Sequence, residues 1–342
     1  MALRVKDIAN MLNISPSTVS LVLNNKPGAS EETRQKVLRI VKDMGYDTNM
    51  LSKPALRNNK GIRFIVYKKH GNVVADTPFF SSLMEGIDLE ARKNGYNLLV
   101  SYINEKENKA EVLRIIEENP LDGLLVLATE MNSEDIKPFI LFGIPVVVID
   151  SYFETEKLDT IVINNEQGAY EATKYLIDFG HRDIGYLKSS TWIKNFEERQ
   201  DGFSKALLEN GIKIREDNVL KIESTMDGAY RNMVDILKKD IVLPTAFFAD
   251  NDIIAFGAMK ALKEYGVKIP QDISIIGFDD MPFCNMVDPA LTTIKVFKER
   301  IGMLAVERLI SKIEKDIYES IKLEVATVLV ERKSVININE TI

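Results

Sequence analysis

Reactive side chains are sparse in this sequence. Two histidines, His70 and His181, stand far apart, and Cys284 is the single cysteine. That set excludes an intramolecular disulfide and a cysteine-based metal cluster, and leaves little for zinc or imidazole catalysis. No metal and no cofactor is expected. His181, in Gly180-His181-Arg182-Asp183, reads as a cap on the preceding helix, His70 as a surface residue, and Cys284 as a half-buried small side chain. The neighbouring carboxylates Asp279 and Asp280 are the acid–base pair an enzyme could use. No nucleophile accompanies them, and no GxxxxGK phosphate loop or GxGxxG fingerprint occurs between strand and helix. An enzyme is not expected. More telling are polar residues at the ends of apolar runs: Asp150 follows 146–149, Asn251 follows 245–249, and Asp279 follows 274–278. Arg199 opens the helical stretch after 184–187. Carboxylate, amide and guanidinium together suit a polyhydroxy ligand, whose hydroxyls offer paired donors and acceptors.

These residues need elements to place them. From Gly61 onward, short apolar runs alternate with amphipathic stretches. Strands are expected at 62–67, 97–102, 123–127, 146–149, 160–163, 184–187, 245–249 and 274–278, with helices at 80–94, 109–118, 166–179, 197–210, 227–239 and 252–265. Several helices end at glycine (Gly95, Gly180, Gly211, Gly266), the usual left-handed stop. Near-continuous apolar strands with helical crossovers imply parallel sheets covered on both faces. So long a run exceeds one core, so the expected fold class is a core of two doubly wound α/β subdomains, dividing near 159 with crossovers after about 289. Ligands of such folds sit at the carboxyl ends of the strands, in the cleft.

The first 46 residues follow another rule. Val5, Ile8, Ala9 and Leu12 share one helical face. Ser15 and Pro16 supply an N-cap and a first helical residue for a second helix to about Leu23, with Val19, Val22 and Leu23 inward. Ser30 caps a third, whose apolar stripe is Val37, Leu38, Val41 and Met44, and Gly45 ends it. Two short helices joined by a tight turn and braced by a third describe a small all-α helix-turn-helix head. The expected domains are this head at 1–46, a linker at 47–60, the core at 61–335 and a tail at 336–342.

Charge separates the two parts. Residues 1–61 hold ten Lys or Arg against five Asp or Glu, a net +5, whereas the whole chain carries -7, leaving -12 on the rest. A basic head on an acidic body suggests that only the head meets a polyanion. No apolar run is long enough to span a bilayer. The start, Met1-Ala2-Leu3-Arg4-Val5-Lys6-Asp7, has no apolar stretch behind its basic residues, so a cytoplasmic protein with no membrane association is expected.

The sequence resembles the LacI/GalR family of bacterial transcription regulators over nearly its whole length. The head carries Lys6-Asp7-Ile8-Ala9, Ile14-Ser15-Pro16-Ser17-Thr18-Val19-Ser20-Leu21-Val22-Leu23-Asn24, Ser30-Glu31-Glu32-Thr33-Arg34 and Gly45-Tyr46. The body carries Pro78-Phe79-Phe80, Gly143-Ile144-Pro145-Val146, Gly180-His181-Arg182, Arg199 with Gly202-Phe203, Asn251-Asp252, Ile276-Gly277-Phe278-Asp279-Asp280 and Pro289-Ala290-Leu291-Thr292-Thr293-Ile294. The resemblance implies a periplasmic-binding-protein-like core and an effector-responsive repressor of a carbohydrate-related operon. Its partners would be near-palindromic double-stranded operator DNA, a sugar-like effector and a second copy of the chain. No heptad pattern follows Val335, which favours a homodimer over a tetramer.

By the same resemblance, Pro16, Ser17 and Leu21 face bases, while Thr18, Ser20 and Asn24 contact phosphates. Leu21 departs from the arginine common at its position, so an apolar contact such as a thymine methyl replaces a bidentate hold on guanine; helix packing is its alternative role. Leu56 would be the minor-groove wedge of a hinge helix that folds on DNA. Pro54 stands as an insertion there and disfavours a helical Lys53. In the core, Arg199, Asn251 and Asp279 would contact effector hydroxyls or a carboxylate, and Phe79 and Phe80 would stack on a ring. Asn164 stands where many relatives carry aspartate. Trp192, before Arg199, either faces the cleft or packs on the surface. The competing reading of the whole chain is a cytoplasmic sugar-binding protein without specific DNA recognition, which would have no use for the basic head.

Overall fold

The structure, a computed structural model, describes residues 5–12, 14–23, 29–43, 60–74, 78–106, 108–119, 121–239, 241–315 and 317–340. The chain divides into two compact units, Met1–Lys60 and Gly61–Ile342.

The first unit contains α1 (Val5–Leu12), α2 (Pro16–Leu23) and α3 (Glu31–Asp43). Ile8, Ala9, Val19, Val22 and Val37 form its own small core. Serine caps set the helix starts: Ser15 Oγ accepts the Thr18 amide at 3.0 Å, and Ser30 Oγ accepts that of Thr33 at 3.3 Å. The expected stop at Gly45, the stripe residue Met44, Asn24 and the linker with Pro54 and Leu56 lie outside the described residues.

The second unit has two lobes. The first begins with β1 (Gly61–Lys68), α4 (Pro78–Lys93), β2 (Asn97–Asn104), α5 (Lys109–Glu118), β3 (Gly123–Leu127), α6 (Ser133–Ile140), β4 (Val146–Ile149) and β5 (Asp159–Ile163). The chain crosses into the second lobe for α7 (Asn165–Asp178), β6 (Ile184–Ser189), α8 (Lys194–Glu209), β7 (Val219–Ile222), α9 (Met226–Leu237), β8 (Ala246–Ala249), α10 (Asp252–Glu264), β9 (Ser274–Asp279) and β10 (Thr292–Lys295). It returns to the first for α11 (Lys298–Glu314) and β11 (Lys322–Val325), then crosses again into β12 (Val328–Val330). The sheet orders are β11-β5-β4-β3-β1-β2 and β12-β10-β9-β8-β6-β7, parallel except where β12 pairs antiparallel with β10. Central strands such as β3 and β4 are buried on both faces, which explains their unbroken apolar runs.

The first crossover falls after Ile163 rather than near 159, because Asp159 is the first residue of β5 and pairs with Val147 of β4. Asp159 is fully buried and joins elements far apart in sequence. It accepts from Arg308 Nε at 2.6 Å, from Lys312 Nζ, and from the Ile321 amide at 3.0 Å, so α11 and the start of β11 are tied to β5. Glycine lets α11 lie against α4: a Cβ on Gly86 would fall 2.1 Å from the Glu299 carbonyl oxygen, and one on Gly302 2.4 Å from that of Leu83.

Several expectations change. His181 does not cap a helix with its ring. Nδ1 pairs with Thr245 Oγ1 at 3.0 Å and Nε2 with the Ile336 carbonyl at 3.2 Å. Residues 336–340 are accordingly part of the second lobe rather than a free tail, with the Ile338 amide on the Phe179 carbonyl at 2.9 Å. Cys284 is wholly buried, not half-buried, and its thiol donates to Asp252 Oδ2 at 3.1 Å. His70 is exposed, as its surface reading expects, with its Nδ1 3.1 Å from Glu130 Oε1. Among the described residues no helix is long and apolar enough to cross a membrane.

Candidate functional site

Between the lobes, at the carboxyl ends of both sheets, lies a cavity of about 240 Å³. Phe79, Phe80, Asp150, Arg199, Asn251 and Asp279 all line it. Lobe one supplies Asp150 from the end of β4 and both phenylalanines from the first turn of α4, their rings edge-to-face at 5.0 Å. Lobe two supplies the other three.

Arg199 is the centre of the second lobe's wall. Its guanidinium stacks 3.7 Å from the Phe278 ring centroid. Nε donates to Asn165 Oδ1 at 2.9 Å, Nη1 to the Asp250 carbonyl at 2.6 Å and Nη2 to Asp279 Oδ1 at 3.2 Å. Three of its five N–H donors are thus satisfied by protein. Asn251 is also held by protein. Its Oδ1 caps α10 by accepting the Ile254 amide at 3.0 Å, which leaves the amide NH2 outside the cap.

The two carboxylates arrive from opposite lobes on strained backbone. Asp150 has φ 67 and Asp279 φ 111; with Asp280 (φ 53) they are the non-glycine residues of positive φ among those described. Such strain persists where surroundings enforce it and gathers at functional sites. Burial pushes the Asp150 carboxyl up to about 6, against hydrogen bonds from Thr129 Oγ1 at 2.6 Å and Asn195 Nδ2 at 2.9 Å. Burial also raises Asp279, opposed by the charges of Arg199 and Lys298.

Asp280 does not join it. Its carboxylate accepts from Arg332 Nη2 at 2.6 Å, outside the cavity lining, so Asp279 and Asp280 do not form an acid–base pair facing one substrate. Trp192 is 63% exposed and lines a separate groove, not the cleft. Asn164 caps α7 through the Gln167 amide at 3.2 Å. Of the head residues, Pro16, Ser17, Thr18, Ser20 and Leu21 lie on α2, and the Thr18 hydroxyl pairs with Ser15 Oγ at 2.8 Å.

Sequence reasoning missed the cleft's supports. Glu130, in the β3–α6 connection, accepts five backbone amides: Lys69, His70 and Gly71 on one oxygen at 2.9–3.0 Å, and Val73 and Val74 on the other at 2.9 Å. Burial alone would raise this carboxyl, but the amides outweigh it and hold it below the usual carboxylate range. Asn72 and Val73 of the loop so gathered line the cavity. Lys298 Nζ donates to the Asp279 carbonyl and lies 5.6 Å from the Phe79 ring centroid, joining the two walls. Phe196 and Met226 are among the further apolar side chains of the lining. A buried acid beside a threonine, Thr129-Glu130, was the only signal for the first of these supports, and nothing in local spacing connects it to a loop some sixty residues earlier.

A helix-turn-helix unit joined to a two-lobed α/β core with a polar cleft defines a ligand-responsive DNA-binding regulator. Residues 4–49 match the model for bacterial regulatory proteins of the lacI family, and 173–335 that for a periplasmic binding protein-like domain. The HTH-type transcriptional repressor PurR of Pasteurella multocida is 34% identical over 334 residues, covering 97% of this chain and 98% of that protein. The ribose operon repressor of Haemophilus influenzae is 32% identical over 332 residues, 96% and 97% of the two chains. A solved LacI-family regulator from Enterococcus faecium with bound ribose superposes with TM-score 0.70 at 26% identity, over 80% of this chain and 99% of that one. The chain belongs to the LacI family of bacterial transcriptional regulators. Its named relatives are DNA-binding repressors, not enzymes, and operator DNA and a small effector are the partners typical of the family.

Proposed function

We propose that this chain is a homodimeric repressor of carbohydrate-related genes whose operator affinity is set by a pentose-sized polyhydroxy effector in the interlobe cleft. The observation that carries the reading is the pair of buried carboxylates, Asp150 and Asp279, presented to one cavity by opposite lobes beside Arg199. Ionised carboxylates only accept, so they call for a ligand rich in donors, and each sugar hydroxyl donates once. Arg199 and the Asn251 amide donate to hydroxyl or ring oxygens, while Phe79 and Phe80 cover an apolar ring face. A cavity of about 240 Å³ falls below the range typical of drug-sized ligands and suits a single ring. The ribose-related names among the relatives support this reading.

The PurR relatives favour a second occupant, a purine base, for which Phe79, Phe80 and Phe196 would be stacking partners. A thermal-shift screen of pentoses, hexoses and purines separates the two, since a true ligand raises Tm by mass action. A rise with a pentose alone supports the sugar reading. A rise with a purine and no sugar overturns it.

On DNA, Pro16, Ser17 and Leu21 read bases, Thr18, Ser20 and Asn24 set register on phosphates, and Leu56 wedges the minor groove. Selection from random duplexes tests this: Leu21→Arg shifts one base pair of the preferred half-site towards guanine, and an unchanged preference removes the assignment. Two-fold symmetry makes the operator near-palindromic. Dimerisation is supported by the edge strand β2, which leaves Leu99, Val100 and Tyr102 exposed, and by exposed Phe283 and Met286 in the second lobe. Sedimentation of Tyr102→Glu as a monomer is the expected outcome.

A further inference from the structure

Beside the cleft, the second lobe carries a separate groove of about 280 Å³ that the proposed effector does not use. Lys188, Trp192, Gln200 and Lys221 are among its walls. Lys188 and Lys221 are register partners on the parallel strands β6 and β7, so their side chains leave one face of the sheet a single strand spacing apart. Like charges side by side on a sheet are unfavourable. Among the described residues no carboxylate lies within ion-pair distance of either. Lys188 Nζ donates to the neutral Gln200 Oε1 at 2.6 Å, and the acid of the groove, Glu197, pairs instead with Lys194 at 3.1 Å. The two lysines therefore stand without a direct ion pair near the carboxyl ends of the strands, where open α/β sheets receive ligands, although the buried Asp250 carboxylate acts on Lys188 through its charge.

The second observation is Trp192. It is the chain's single tryptophan and stands 63% exposed in the same groove. A large indole face left in water, in the same groove as the two lysines, offers a stacking surface for a ring. Ser190 and Thr191 add hydroxyls at its rim.

We propose that this groove is a second binding site, for a phosphate ester carried on a ring, with the phosphate between Lys188 and Lys221 and the ring against Trp192. Sugar phosphates and nucleoside monophosphates share that chemistry. Occupancy would be felt in the cleft: Phe196 lines both cavities, and Ser189 of the groove hydrogen-bonds Ser224 of the cleft at 2.6 Å. The site stands independently of which effector fills the cleft.

Trp192 is its own reporter. The full-length protein is titrated with glucose 6-phosphate, AMP, glucose, adenosine and inorganic phosphate while indole fluorescence is followed. The expected result is saturable quenching by one or both phosphate esters and none by the unphosphorylated parents. Lys221→Gln, an exposed change, and the Lys188→Gln/Lys221→Gln pair should weaken binding roughly tenfold or more, with high salt acting in the same direction. Quenching by glucose 6-phosphate alone or AMP alone identifies which source of the phosphate is used. The proposal is overturned if neither ester binds at millimolar concentration, if the parents bind equally, if inorganic phosphate binds as tightly as the esters, or if binding persists undiminished in Lys221→Gln.

Discussion

Asn195 and Asp150 meet across the cleft. The amide of Asn195, in the first turn of α8, donates to the first lobe's Asp150 carboxylate at 2.9 Å, so a side-chain pair bridges the two lobes inside the cavity. The same carboxylate is held from behind by Thr129, and its remaining lone pairs could take a ligand hydroxyl alongside Asn195. On the proposed reading, ligand occupancy and lobe closure act on one carboxylate, so a ligand that binds the closed core better shifts the population towards it.

Removing this contact tests its weight. Asn195→Ala should lower effector affinity by about tenfold or more, since a buried hydrogen bond to a charged group contributes about 1.5–3 kcal/mol. Calorimetric titration with the ligand found by thermal shift checks it. Affinity equal to that of the parent chain would show that closure rests on other contacts.

Glu130 acts at one remove from the ligand. Glu130→Gln keeps the shape but brings an NH2 group against backbone donors, so the loop carrying Asn72 and Val73 loses part of its anchor. The expected result is weaker effector binding with faster proteolysis within residues 69–74, and restoration of both by reversion. Wild-type proteolysis with wild-type affinity would remove Glu130 as the positioning residue.

Stability should fall as pH rises from 5 to 7. Burial raises Asp150 and Asp250 to about 6 and Asp252 to about 7. A carboxyl raised on folding contributes stability below its unfolded value, which is lost as pH climbs through the folded one. His181, lowered by burial, works in the opposite direction below its ordinary value, but it is one group against three. Melting curves of the effector-free protein at constant ionic strength measure the slope. Asp252→Asn should flatten it, and a Tm that rises over this range would contradict the assignment.

Asp159 offers a test of the packing between crossovers. Its removal in Asp159→Ala leaves Arg308 and Lys312 facing each other without their shared anion. Breaking such a buried pair costs about 3 kcal/mol or more, and urea unfolding should show an unfolding free energy lower by that amount. A shift below about 1 kcal/mol would mean that the site relaxes and hydrates.

Much of this was readable along the chain because it depends on local rules. The apolar runs at 123–127 and 146–149 coincide with β3 and β4, since a strand buried on both faces has no polar face to break its pattern. Ser15 and Ser30 mark helix starts because capping is decided within three residues. Asp150, Asn251 and Asp279 could be placed at one end of the sheets because parallel strands all point the same way. By contrast β11, four residues of alternating burial, and α6, with Pro138 inside it, carry weak local patterns and were not read. Glu130 could not be assigned at all: its five partners lie some sixty positions earlier, and only the adjacency of β1 and β3 brings them within reach.

By itself the sequence determined the architecture: a basic three-helix head, an acidic two-lobed core, and which polar residues stand at the mouths of the strands. Periodicity, capping and the direction of parallel strands are properties of short segments, so they survive being read in one dimension. The tertiary structure decided the rest: that Arg199 spends three donors on the protein, that Asp280 turns away to Arg332, and that Trp192 leaves the cleft for a groove of its own. Each of these is an outcome of which partners arrive from distant parts of the chain, and hydrogen bonds and buried charges are settled only by those partners.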